Sequence, residues 1–315
     1  MMHSVRLPAL IGSHPLGALA SFGLLRLLAQ WDVDVKLRFV LEDDWIAAIE
    51  TNRYSSLATL IGELDGWLKS DTMSRMVNWE DDVRLLPEQF RDVLIRALHD
   101  QDTGLCAFLS SIVADGAVDA QKGLIKPSAF YMVSGQQSFL GGLREVLAQV
   151  KGSEASAFEE ALSGPWRYRT RTHSLGWDPN TERLYALRHR APTSEKPSCI
   201  AGAVILAFWA IPLFPAVSSA GRPLTIGFSR VEGDHHFSWP IFSQAIGLPE
   251  LTSYLRAGPE SWFANNHSRY RSGIERVYES TRAEFGQGYA VFRPARLSQL
   301  KNTKPKSSRR GAARI

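Results

Sequence analysis

Residues 199–217 run for nineteen positions without a charged side chain. This stretch constrains the fold more than any other, because a segment that is apolar on all sides has to be covered on all sides. It falls just short of the ~20 residues that cross a bilayer. Gly202 near its start and Pro212 and Pro215 near its end argue against a span. The reading is a helix over 200–210, packed inside a protein core and stopped by Pro212. No membrane attachment is expected. A chain of 315 residues, 44% of them apolar, can bury such a helix in one large domain or two ordinary ones.

The beginning of the chain does not read as a secretory leader, since Pro8, His14, Pro15 and Arg26 interrupt the apolar run. Two cysteines, Cys106 and Cys199, are too few for a disulfide framework or a cysteine-based zinc ribbon. A cytoplasmic location is the simplest expectation.

Hydrophobic spacing then divides the chain. Leu16, Leu19, Ala20, Gly23, Leu24, Leu27 and Leu28 follow a helical period, with Pro15 in the first turn. Residues 35–41 alternate as a strand does. Helices are expected over 43–50, 56–69, 87–101, 105–113 and 134–150. Residues 71–82 read as an acidic loop, and 116–127 as a turn-rich connection. The small, polar stretch 152–163 is the candidate domain joint. Strands are expected at 166–173, 183–189, 223–229, 235–242, 274–285 and 288–293, with a hairpin turn at Phe285-Gly-Gln-Gly-Tyr289. The expected class is α+β. A mainly helical region (1–152) precedes a strand-rich, more basic region (153–300) and a disordered basic tail (301–315).

The net charge of +4 is unevenly spread. The tail holds Lys301, Lys304, Lys306, Arg309, Arg310 and Arg314 and no acid, while residues 1–300 carry 30 basic and 32 acidic side chains. Residues 1–100 are acidic and 101–300 mildly basic, so a polyanion should favour the later part of the chain.

Trp166-Arg-Tyr-Arg-Thr-Arg-Thr-His173 is the most informative stretch for function. As a strand it would put Arg167, Arg169, Arg171 and His173 on one face, and Trp166, Tyr168, Thr170 and Thr172 on the other. Side chains two apart on a strand lie roughly 6.6 Å apart, close to the phosphate spacing of a stretched single strand. Guanidinium forks suit phosphate. A solvated strand face with its aromatic side in the core explains the same residues. Arg183, Arg188 and Arg190 follow nearby. Trp166 or Tyr168 could stack a base if their face is open.

Weaker candidates accompany it. Gly135-Gln-Gln-Ser-Phe-Leu-Gly141 could form a polar turn in which Gln136 and Gln137 touch a base, or a helix start capped by Ser134. Lys304, Arg309 and Arg310 could hold nucleic acid non-specifically; six tail cations would give a salt slope of order −5. The chain lacks GxxxxGK[ST], GxSxG, HExxH and CxxC. No cofactor is expected. The alternative function is a metal-dependent nuclease using Asp234, His236 and His267, against which a polar turn entering a strand is the simpler explanation.

Four stretches together resemble one family. They are Pro15-Leu-Gly-Ala-Leu-Ala-Ser-Phe-Gly-Leu-Leu-Arg26, residues 126–140, Ser174-Leu-Gly-Trp-Asp-Pro179 leading into Arg183-Leu-Tyr-Ala-Leu187, and Phe237-Ser-Trp-Pro-Ile-Phe242. In this order, across about residues 5–255, the chain resembles accessory or large-subunit proteins of type I CRISPR effector (Cascade) complexes, especially the I-G (formerly I-U) branch. The resemblance implies a non-catalytic subunit in antiviral defence. Its partners would be guide RNA, target DNA, other effector subunits and a separate helicase-nuclease. Base pairing would supply most sequence specificity, and the protein charge and shape. Large subunits of this kind are often longer, so the resemblance implies a reduced one.

Overall fold

A computed structural model describes residues 2–70, 72–133, 137–181, 197–263, 273–285 and 289–298. The chain opens with a strand, β1 (His3–Ile11), and the apolar helix α1 (Pro15–Leu28) follows almost at once. Thirteen of the fourteen α1 residues are buried, Arg26 being the exception. Its periodic leucines mark one face, yet the small residues between them are covered as well. β2 (Lys36–Leu41) falls where alternation placed it.

The expected helix over 43–50 is instead a strand, β3 (Trp45–Thr51). It is the centre of an antiparallel sheet of order β1-β3-β2, with Ala47 opposite both Leu7 and Phe39. A central strand buried on both faces shows no alternation, so Ile46-Ala-Ala-Ile49 looks helical by composition.

Four helices follow: α2 (Leu57–Lys69), α3 (Thr72–Val77), α4 (Pro87–His99) and α5 (Thr103–Ile112). Ser56 and Thr59 form a capping box on α2, and Asp102 caps α5. The stretch expected as an acidic loop therefore holds a short helix, because Met73, Met76 and Val77 share one buried side. Part of the expected turn-rich connection is a small hairpin, β4 (Val113–Val118) with β5 (Ile125–Pro127).

α6 (Phe139–Lys151) starts later than the glycine pattern suggested. Its cap is Ser138, whose Oγ accepts from Gly141 N at 2.8 Å, not Ser134. The expected buried helix is present as α7 (Ala201–Ala210), with all ten residues covered. A 3-10 turn at Ile211–Leu213 ends it. α7 lies directly on α1. The two backbones touch at Gly23, where a Cβ would stand 1.8 Å from the Leu206 carbonyl oxygen.

The later part of the chain is strand-rich. β6 (Ala216–Ser219) and β7 (Arg222–Thr225) make a hairpin. The single strand expected over 223–229 is split, because Gly227 at φ 83° turns the chain between β7 and β8 (Phe228–Val231). β9 (Asp234–Phe242) leads to α8 (Leu248–Phe263), which is kinked at Gly258. β10 (Ile274–Phe285), β11 (Tyr289–Phe292) and β12 (Arg296–Leu297) complete a sheet of order β11-β10-β9-β8, with β12 also on β10. β10 and β11 pair as an antiparallel hairpin ending at Phe285 opposite Tyr289. The expected turn at 286–288, the strand over 183–189 and the tail lie outside the described residues.

The fold is α+β, helical mainly in the first half and strand-rich in the second. One apolar core runs from Val5 to Phe292, through both 1–152 and 153–298. Trp239 Nε1 donates to Gly12 O at 2.8 Å, and Leu37 pairs with Ile246, so the late sheet closes on the early one. Among the described residues, no helix is long and apolar enough to cross a membrane.

Candidate nucleic-acid interface

Among the described residues, the segment expected as a strand over 166–173 forms no ladder. Its one pairing there is an isolated bridge, Thr170 to Cys199, and Tyr168 adopts φ 55°. A residue in that region cannot continue a pleated strand. Yet the two-sided division of side chains survives. Arg167, Arg169 and Arg171 are exposed, while Trp166, Tyr168 and Thr170 are half-buried and Thr172 is buried.

The backbone of this segment is tied to the body at successive points. Arg167 N donates to buried Glu160 Oε1 at 2.7 Å. Cys199 N donates to Thr170 O at 2.9 Å. Arg171 N donates to Gln149 Oε1 at 3.1 Å, and Gln149 Nε2 returns a bond to Arg171 O at 3.0 Å. Thr172 Oγ1 donates to Glu145 Oε2 at 3.0 Å. Glu145 and Gln149 are one turn apart on α6, which therefore acts as a side rail. Among the described residues, no carboxylate pairs with the three guanidiniums.

The aromatic side is closed. Trp166 packs edge-on to His14 at 5.2 Å, and its Nε1 donates to Ala161 O at 3.3 Å. Tyr168 OH accepts from Asn180 Nδ2 at 2.9 Å, and burial, followed by Asp178, pushes the phenol well above its ordinary range. The base-stacking role for Trp166 and Tyr168 is thus corrected: their rings belong to the packing beneath the arginines. His14 Nε2 lies 3.5 Å from the fully buried carboxylate of Asp178. The Cys199 thiol, in the same neighbourhood, is pushed up to about 12, chiefly by burial and then by Asp178 and Glu160.

Two sequence candidates are brought together at the segment's end, where Gln137 Nε2 lies 3.0 Å from His173 Nε2. Gln136, Arg188, Arg190, Lys304, Arg309, Arg310 and His267 lie outside the described residues. Asp234 is exposed at the β8–β9 turn, whereas His236 is buried with Nδ1 3.4 Å from Thr281 Oγ1. Among the described residues, no three His, Cys, Asp or Glu side chains stand close enough to hold a metal ion.

Sequence reasoning missed Glu160, Glu145 and Gln149, which position the segment. The i, i+4 polar pair on α6 was the available signal. The stretches that carry the family resemblance are mostly core: α1, 130–133, 174–179 and 237–242 are buried apart from Arg26. No family model and no curated protein matches the chain.

Proposed function

We propose that this chain is a nucleic-acid-binding subunit without catalysis of its own, working in a type I CRISPR RNA-guided surveillance complex. It would contact guide RNA or target DNA and recruit a separate helicase-nuclease. The observation that carries the binding role is the 167–171 segment: backbone held at several points, three guanidiniums in water, no acid partner among the described residues. Such a segment meets a phosphate chain with little ordering cost. It carries no base-reading groups, which suits a complex in which a guide strand reads sequence. The assignment to a CRISPR complex is supported by the order of the four sequence stretches.

Replacing Arg167, Arg169 and Arg171 together with Ala should weaken binding to all sequences alike and flatten the salt dependence by up to ~3 units of slope. An unchanged slope sinks the binding assignment. The complex is tested separately, by mild-salt purification of the tagged chain from its native cell. Short RNAs of uniform length sharing a repeat-derived end, with several protein subunits, are expected. A lone protein with no RNA overturns that part.

A further inference from the structure

Arg26 is the only charge on α1, and it stands where the helix meets α7. Its Nη1 donates to Trp209 O at 3.1 Å, and its guanidinium lies 5.3 Å over the Trp209 ring. Among the described residues, no carboxylate pairs with it. A largely buried cation without a counter-charge is costly, and burial lowers this guanidinium to about 10. A structure that keeps such a group inside an otherwise apolar helix contact leaves an anion to be supplied.

Arg26 faces a cavity of about 390 Å³. Arg75 of α3 lines it too, exposed and without an acid partner among the described residues. Thr103 and Gly104, in the first turn of α5, form another wall and bring the positive end of that helix. Asp102 is the one carboxylate in the lining among the described residues, and it is engaged with Leu105 N at 2.9 Å. Trp209 is only 3% exposed, and its indole N–H has no acceptor among the described residues.

A second cavity of about 460 Å³ shares Arg75, Asp102 and Thr103 with the first. Trp79, Asn78 and Gln101 line its other side. The first chamber thus has two guanidiniums and one acid. The second has an indole and two carboxamides, groups that stack on and hydrogen-bond to a base, together with Arg75, Arg96, Asp100 and Asp102, whose charges balance. Each volume is in the range of small-molecule sites, about 300–1,000 Å³.

We infer that this two-chambered cleft binds a nucleotide, with its phosphate between Arg26 and Arg75 and its base against Trp79. The nucleotide is either free or the phosphorylated end of an RNA. The cleft shares no residue with the 167–171 segment, so the inference stands apart from the nucleic-acid reading above.

The test is calorimetric titration of the full chain with 5′-AMP, adenosine and inorganic phosphate. AMP is expected to bind at least about tenfold more tightly than either of the others. Arg75→Gln, at an exposed position, should lose about tenfold for AMP and leave adenosine unchanged. Trp79→Leu should weaken AMP and adenosine together. Arg26→Lys keeps the charge but loses the planar fork, and should weaken AMP more than adenosine. A chain with Arg167, Arg169 and Arg171 all changed to Ala should bind AMP normally. A decamer RNA with a 5′-phosphate, compared with its 5′-hydroxyl form, identifies the source: preference for the former over AMP assigns an RNA end, and no preference assigns a free nucleotide. The inference is overturned if AMP fails to bind at millimolar concentration. It is equally overturned if adenosine or phosphate matches AMP, or if Arg75→Gln changes nothing.

Discussion

The side chain of Gln149 pairs with the backbone of Arg171 on both sides, accepting from its N–H at 3.1 Å and donating to its carbonyl at 3.0 Å. A helix residue thereby supplies what a neighbouring strand would have supplied. The arginine segment is then held on the surface without belonging to a sheet.

Gln149→Ala removes both bonds from an exposed position. Stability should fall by about 0.5–1.5 kcal/mol, as for one or two ordinary hydrogen bonds. Nucleic-acid affinity should fall with it, by less than Arg171→Ala causes. Urea melts and filter binding measure the two effects. Full affinity in Gln149→Ala would show that the backbone tie does not position the guanidinium.

Gly23 is where α1 and α7 come into backbone contact. Gly23→Ala places a methyl group into the Leu206 carbonyl, and neither helix can yield without moving its whole neighbourhood. The cost should be on the order of 1–3 kcal/mol or more. Gly62→Ala has open space around its Cβ on the exposed side of α2 and should be neutral or slightly stabilising. Thermal melts should place Gly23→Ala well below the parent chain and Gly62→Ala at or slightly above it.

His235 sits between Arg230 and Arg282 in the sheet register. Burial first, then Arg282 and Arg230, hold its pKa below the ordinary 6.5. The folded state therefore binds this proton less readily than the unfolded chain. Stability from this group is full above about 6.5 and is lost as pH falls below it, until the depressed folded pKa is reached. His235→Gln should lessen the decline between pH 7 and 5 in denaturant titrations. An identical pH profile would show that other groups set it.

Burial pushes both thiols away from the reactive thiolate, Cys199 to about 12 and Cys106 upward as well. Alkylation by iodoacetamide at pH 7.5 should be slow at Cys106 and absent at Cys199 until denaturant is added. Rapid native labelling of Cys199, followed by peptide mass spectrometry, would contradict this packing.

The parts of the fold that were legible are those whose hydrophobic pattern had a single explanation. The strand expected at 274–285 spans the residues of β10 itself, and the uncharged run around 200–210 is the all-round buried α7. β3 was not legible, because Ile46-Ala-Ala-Ile49 is covered on both faces and has no period to show. α3 was hidden by the acids around Met73, Met76 and Val77. At the candidate interface, the alternation of arginines with aromatic and threonine residues told which side faces water. It could not tell that Tyr168 leaves the extended region, nor that Glu160, Glu145 and Gln149 replace a ladder. Those partners lie 7 to 27 residues away and meet the segment only through the packing of α6 and the helical turn Glu159–Ser163 that follows it.

Burial of α1 by α7 also sets an order of events during synthesis. The fourteen-residue apolar helix leaves the ribosome long before residue 201 exists to cover it. At about 5–20 residues per second, that interval lasts roughly 10–35 s. Throughout it, β1 and β2 can cover one side of α1, but the side that α7 will cover has no native surface to rest on. Translation of this protein should therefore lean on cellular holdases, and slowing elongation between α1 and α7 should cost yield more than slowing it after α7.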